Sequence, residues 1–228
     1  MILPKVRLVR RSDTHRLIPS KYGDGGASVL ARIADDDAHL QDIFDLDGLT
    51  NDRLTAERNL LPGIGIDELV FGVPQARIVN AAFCHAHPLG SRFNGPDRGA
   101  WYAAFEVETA QAEVTFHKTV ELAEIGRFDE SVTYDDYRAD FSAELHDLRG
   151  DARFADCLAP DSYEASQDLA AALLDADSLG VVYPSVRHAG GICLACFRPA
   201  LVGNVRKGMT WRFTWDGSEM PSISAERF

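Results

Sequence analysis

The chain has 228 residues, a length that points to one large domain or two small ones able to bury a core without staples. Its 46% hydrophobic and 25% charged residues match ordinary globular usage, which argues against disorder, fibres and coiled coils. With 23 Lys and Arg against 35 Asp and Glu the formal charge is −12. That balance suits a soluble protein or a basic partner, and it disfavours direct binding of nucleic acid, which needs clustered cations.

The opening, Met1-Ile2-Leu3-Pro4-Lys5-Val6-Arg7, turns charged at once and lacks the apolar stretch of a secretory signal. No run of about 18 apolar residues predicts a membrane span. The four cysteines, Cys84, Cys157, Cys193 and Cys196, are too few and too unevenly spaced for a disulfide framework. A reducing, cytoplasmic setting is the expectation.

Val6, Leu8 and Val9 predict a first strand, followed at Arg10-Arg11 by a loop, then Arg16-Leu17-Ile18-Pro19-Ser20-Lys21-Tyr22 and a breaker at Gly23 to Gly26. Val29, Ile33, Leu40, Ile43 and Phe44 give a helical period within the acidic stretch 27–50, and residues 51–75 read as helix then loop. The apolar run Ile78 to Phe83 predicts a buried strand, and so does Trp101 to Phe105. A helix is expected from Thr109, as its hydroxyl cap, to about Ala123. Residues 126–160 carry strand and loop signals. Ser166 to Leu174 reads as a helix, and Leu179 to Tyr183 and Gly191 to Phe197 as two buried strands joined by a turn at Pro184–Gly190. The tail from about Asp216 is polar and expected to be ragged. The pattern fits mixed α+β. One domain over 1–228 is expected, with a core at 76–200, an amino-terminal helical extension at 1–75 and a polar tail at 216–228.

Several common chemistries lack their parts. Cys193-Leu194-Ala195-Cys196 has the C-x-x-C form and His85-x-His87 offers nitrogens. Inside a strand, however, residues three apart face opposite ways and cannot hold one ion, so no metal is expected. Ser185 stands in Tyr-Pro-Ser-Val-Arg, not in a nucleophile elbow. No Walker A or G-x-G-x-x-G sequence is present, and Gly23-Asp24-Gly25-Gly26 reads as a plain turn.

The informative stretch is Gly90-Ser91-Arg92-Phe93-Asn94, then Trp101-Tyr102-Ala103-Ala104, then Glu108-Thr109-Ala110-Gln111-Ala112-Glu113. An arginine in a glycine-bounded turn suits bidentate binding of a pyrophosphate. A tyrosine on the next strand offers a flat face to a cationic nicotinamide ring. A glutamate one turn into the next helix suits an oxocarbenium-like ribose carbon. Together these are parts for binding NAD+ and breaking its glycosidic bond. Singly, each also fits a surface ion pair, a core aromatic or a solvated helix face.

This stretch, followed by Tyr183-Pro184-Ser185-Val186-Arg187 and Gly190-Gly191, resembles the RES domain family, the toxins of bacterial RES–Xre toxin–antitoxin pairs. The arginine, glutamate and serine of that name would be Arg92, Glu113 and Ser185. The likeness covers about residues 85–200; the Arg16–Tyr22 stretch resembles a longer branch of the family. The resemblance implies an ADP-ribosyltransferase-like fold, with a split, mostly antiparallel sheet flanked by helices and NAD+ in a cleft. It implies depletion of NAD+ by hydrolysis or phosphorolysis, or, as an alternative, ADP-ribosylation of a host protein. Its expected partner is a basic, DNA-binding, Xre-like antitoxin that plugs the site. On this reading Arg92 grips the pyrophosphate, Tyr102 stacks on nicotinamide, Glu113 stabilises the ribose cation and Ser185 orients the substrate or Glu113. Arg16 and Lys21 are second-tier phosphate contacts and Arg187 a third. A non-catalytic NAD+ or ADP-ribose-binding module would not need Glu113, and a pure interaction protein would release no nicotinamide.

Overall fold

A computed structural model describes residues 2–23 and 63–226 of the chain. The helix expected over 27–50, and that part of the 51–75 segment that precedes Gly63, lie outside the described residues. The described elements in order are strand β1 (Lys5–Pro19), helix α1 (Ala76–Cys84), β2 (Trp101–Ala104), α2 (Val107–Glu124), β3 (Asp129–Asp147), α3 (Glu164–Asp175), β4 (Gly180–Pro184), β5 (Ile192–Cys196), β6 (Gly203–Asp216) and β7 (Ser222–Glu226). The class is α+β, as expected.

Seven strands form one mostly antiparallel sheet in two parts. The long strands run β1-β3-β6-β7 and the short strands β2-β5-β4. Among the described residues two short seams join the parts: a parallel pairing of His146 and Asp147 with Val181 and Val182, and a single antiparallel pair between His15 and Ala104. Each face of the sheet carries its own core. On one, Ala110 and Leu122 of α2 and Leu169 and Leu173 of α3 pack with Tyr183, Cys193 and Phe213. On the other, Ile78, Val79 and Phe83 of α1 pack with Trp101, Leu194 and Cys196.

Five local expectations are corrected. Ile78 to Phe83 is helical: Ile78, Val79 and Phe83 are buried while Arg77 and Ala81 are exposed, one apolar stripe that a six-residue run cannot distinguish from a strand. β1 does not end at Arg10-Arg11. It continues through an irregularity between Arg11 and Thr14, where Asp13 takes φ 55°, because β3 pairs with it along its whole length. β1 is also a strand integral to the sheet, although it falls within residues expected to form a helical extension. Thr109 is not the cap of α2, which begins at Val107; it is buried, with its hydroxyl on His188 Nδ1 at 2.8 Å. The tail is not ragged up to Glu226, because Ser222–Glu226 adds as an edge strand to β6 through main-chain bonds that polar composition does not reveal.

A buried arginine ties the start of the second described segment to the sheet. Arg98 donates to both carboxylate oxygens of Glu68 at 2.8 and 2.7 Å, to the Gly63 carbonyl at 2.7 Å and to the Phe197 carbonyl at 2.5 Å. The Arg98 bonds to its carboxylate, with further ones from Gly65 N and Arg198, lower the Glu68 pKa to about 2.

Candidate active site

A cleft of about 850 Å³, counting its open mouth, lies between the split sheet and the elements that carry Ser91, Arg92, Glu113, His117 and Tyr163. Its floor is a cross-strand row. His15 of β1 pairs with Ala104 of β2, Ala104 with Cys193 of β5, and Cys193 with Tyr183 of β4. Residues directly opposite in adjacent strands share a face, and all four line the cleft.

The loop carrying Arg92 is held from both ends. Ser91 and Asn94 exchange main-chain bonds at 2.8 and 3.3 Å, and Gln167 of α3 donates to the carbonyls of Leu89 and Ser91 at 3.0 and 3.1 Å. Gly90 sits at φ 70°, where a side chain would run into the Asn94 carbonyl, so the turn needs glycine. Arg92 is buried, and its Nη1 donates to the carbonyls of Cys157 and Ala159 at 3.1 and 2.8 Å. Its guanidinium lies 4.8 Å from the centre of the Tyr163 ring. Part of the fork expected on a pyrophosphate is thus committed to the main chain.

Tyr102 is fixed through its hydroxyl, which accepts from Phe93 N and donates to Asn94 Oδ1, both at 2.8 Å. Burial raises its pKa, so the phenol stays neutral. Tyr183 behind it packs on Phe93 with ring centres 4.6 Å apart.

Glu113 projects from α2. Ser185 Oγ donates to its Oε1 at 2.6 Å, and the Cys193 thiol to the same oxygen at 3.8 Å. Ser185 is itself held, because its Oγ accepts from the amides of Arg187 and His188 at 3.1 and 3.0 Å and its own amide donates to Gly191 O at 2.8 Å. Gly191 passes so close to Thr109 and His188 that a side chain would collide with both. The Cys193 thiol is pushed well up, first by burial and then by the Glu113 charge, so it stays protonated.

Of the residues expected from sequence, the fold brings Arg92, Tyr102, Glu113 and Arg16 to the cleft wall. Ser185 sits behind Glu113. Arg16 Nη1 donates to the Tyr102 carbonyl at 3.1 Å, beside the seam where β1 and β2 part. Its guanidinium lies over Trp101 at 5.0 Å and its Nε is buried without a hydrogen-bond partner among the described residues. Burial lowers its pKa to about 10, which leaves it a cation with no ion pair among the described residues. Lys21 is exposed, over Tyr22 at 4.8 Å, and is not brought to the cleft. Arg187 lies against Phe116 and donates to Pro160 O at 2.6 Å, also off the cleft wall.

Sequence reasoning missed His15, His117, Tyr163 and Tyr183. His117 follows Glu113 by four residues, a helical spacing that places both on one face. It stands at the cleft mouth, where packing lowers its pKa, aided by Arg187 and Arg92 and opposed by Glu113. Tyr183 precedes the Pro184-Ser185 pair directly, whereas Tyr163 carried no signal. Cys193 and Cys196 belong to cores on opposite faces of the sheet. Among the described residues no three His, Cys, Asp or Glu side chains converge as a metal site.

The fold and cleft define an α+β protein with a cationic, aromatic-walled cleft around one fixed carboxylate. The RES domain family model matches residues 69–216, well over half of the chain, so the protein belongs to the RES domain family. No curated protein is a significant match. Among solved structures, the M. tuberculosis MbcT–MbcA toxin–antitoxin complex is similar, with a TM-score of 0.42 at 16% identity over 57% of this chain and 73% of that one.

Proposed function

We propose that this protein cleaves NAD+ at the nicotinamide–ribose bond, as the toxin of a bacterial toxin–antitoxin pair. The observation that carries the reading is the 2.6 Å bond from Ser185 to Glu113 inside a cleft that also holds Arg16, Arg92 and the Tyr102 face. A helix carboxylate fixed by a neighbouring hydroxyl is built to meet positive charge. With Oε1 engaged by Ser185, Oε2 is left to accept from a ribose hydroxyl and to oppose the charge growing at the anomeric carbon. Tyr102 stacks on the nicotinamide ring, with its own hydroxyl already satisfied by Phe93 and Asn94. Arg16, with no acid beside it among the described residues, takes a phosphate oxygen together with the part of Arg92 that is not bound to main chain.

The bond that breaks is ribose C1′–N. Its electron pair goes to the pyridinium nitrogen, so nicotinamide leaves neutral and needs no acid. A new bond forms from C1′ to an acceptor oxygen, which gives up a proton. Electrostatic stabilisation of the cation is the largest lever for such a step. Family membership supports the toxin role. The overall charge of −12 suits a basic, Xre-like antitoxin, which blocks the cleft by offering a peptide carboxylate to Arg92 and Arg16.

The test is to incubate purified protein with NAD+, with and without phosphate or cell extract, and to identify products. Nicotinamide with ADP-ribose marks hydrolysis, with ADP-ribose 1″-phosphate phosphorolysis, and with labelled protein ADP-ribosyl transfer. No nicotinamide under any condition refutes the reading. Expression of the chain alone should arrest growth, and co-expression of the antitoxin should restore it.

A further inference from the structure

His15 has no place in the chemistry above, yet it stands at one end of the row that floors the cleft. Its Nδ1 lies 2.9 Å from Asp136 Oδ2, and since a carboxylate only accepts, Nδ1 is the nitrogen that carries hydrogen. Asp136 is 1% exposed. Its Oδ1 is buried without a hydrogen-bond partner among the described residues, and the side chains on Oδ2 are His15 and Arg138, the latter at 3.2 Å. A buried carboxylate set on one imidazole nitrogen fixes the ring's orientation and tautomer. The other nitrogen, Nε2, makes no hydrogen bond within the described residues, on a ring that lines the cleft.

The register places His15 in the same cross-strand row as Cys193. His15 is one strand from Ala104 and two from Cys193, whose thiol touches Glu113. Two strand spacings are roughly 10 Å. The residue between them is alanine, so the floor there is low. His15 and Glu113 both line the cleft, on different elements, with Ala104 between His15 and Cys193 in its floor. β1 lies outside the residues matched by the RES domain family model, 69–216, so this arm of the cleft comes from elsewhere in the chain.

We propose that His15, held by Asp136, is the general base that takes the proton from an acceptor water as it attacks the ribose of NAD+. The oxygen of water bonds to C1′ while the C1′–N pair leaves with nicotinamide. One water proton passes to His15 Nε2, giving an imidazolium paired with Asp136, and is later released to solvent. Asp136 is a positioning residue. The assignment rests on the NAD+-cleaving reading and adds to it that water is the acceptor.

The experiment measures nicotinamide release and NAD+ affinity for wild type, His15→Asn and Asp136→Asn, with and without sodium azide. Azide is an anionic nucleophile with no proton to lose. His15→Asn keeps a donor for Asp136 and removes the base. Turnover should fall roughly 10²-fold or more, the usual contribution of a positioned base, with NAD+ affinity retained as the sign of an intact fold. Azide should restore turnover in both variants with an ADP-ribosyl azide product, and should accelerate wild type little. Unchanged turnover in His15→Asn overturns the proposal, as does a loss that azide does not rescue, or a rise in KM with kcat intact. Wild type that releases no nicotinamide ends the NAD+ reading itself, whereas active wild type beside an unaffected His15→Asn ends this assignment alone.

Discussion

Removing the Ser185 hydroxyl should separate positioning from binding. Its oxygen donates to Glu113 at 2.6 Å and accepts from two amides at 3.1 and 3.0 Å, so Ser185→Ala deletes three bonds at once. A hydrogen bond to a charged group contributes about 1.5–3 kcal/mol. The residue is half-buried, so water partly replaces what the two amides lose. A stability loss on the order of 2 kcal/mol follows, or a Tm lower by about 4–8 °C for a chain of this size. If half or more of the Glu113 bond is expressed in the transition state, kcat falls about 4- to 150-fold, since each 1.36 kcal/mol is a factor of ten. KM should hardly move, because Ser185 sits behind Glu113 and not on the cleft wall. The assay is steady-state nicotinamide release beside a thermal melt. A kcat within twofold of wild type would refute the positioning role, and so would a loss wholly in KM.

Arg92→Ala should weaken NAD+ binding and also loosen the 157–159 main chain that Nη1 holds, whereas Arg92→Lys should lie between Ala and wild type by calorimetry, because an ammonium keeps charge without the fork. Cys193→Ala with Cys196→Ala should leave metal content unchanged and lower stability modestly, because the thiols face opposite cores, Cys193 protonated and Cys196 with a pKa raised by burial to about 12; stoichiometric zinc lost in the double variant would contradict this. Glu68, depressed to about 2 chiefly by its bond from Arg98, contributes stability above its unfolded pKa of about 4.5 that is lost as pH falls toward 2. Discounted for the solvent on its exposed side, this is on the order of 1–2 kcal/mol. Acid titration of wild type and Glu68→Gln should therefore converge in stability between pH 4.5 and 2.

The central strands and the long helix were legible because short apolar runs and helical periods are local signals, whereas the order Arg92, Tyr102, Glu113, Ser185 came from the resemblance to the RES domain family. The Ser185 bond to Glu113 follows from that order once β4, β5 and α2 pack. What was not legible depends on partners far away in sequence. β1 reads as strand then loop because Arg10, Arg11, Ser12 and Asp13 are polar, and only β3 keeps it extended. β7 is polar along an edge and paired by main chain alone. The row from His15 to Tyr183 is fixed by register across four strands, and Asp136 lies 121 residues from the histidine it holds. No local pattern encodes either relation. Lys21 shows the reverse error: a basic residue in a suggestive stretch that the fold turns outward.

The most direct test compares wild type with Glu113→Gln, measuring nicotinamide release and NAD+ affinity on the same preparations. The change keeps size and a hydrogen-bond acceptor and removes the charge that faces the ribose cation. Turnover should fall by roughly 10²–10³ while NAD+ binding and the melting temperature stay close to wild type. A Glu113→Gln protein that keeps more than about a tenth of wild-type turnover would contradict the account, because so small a loss is far below what removing one preorganised charge costs.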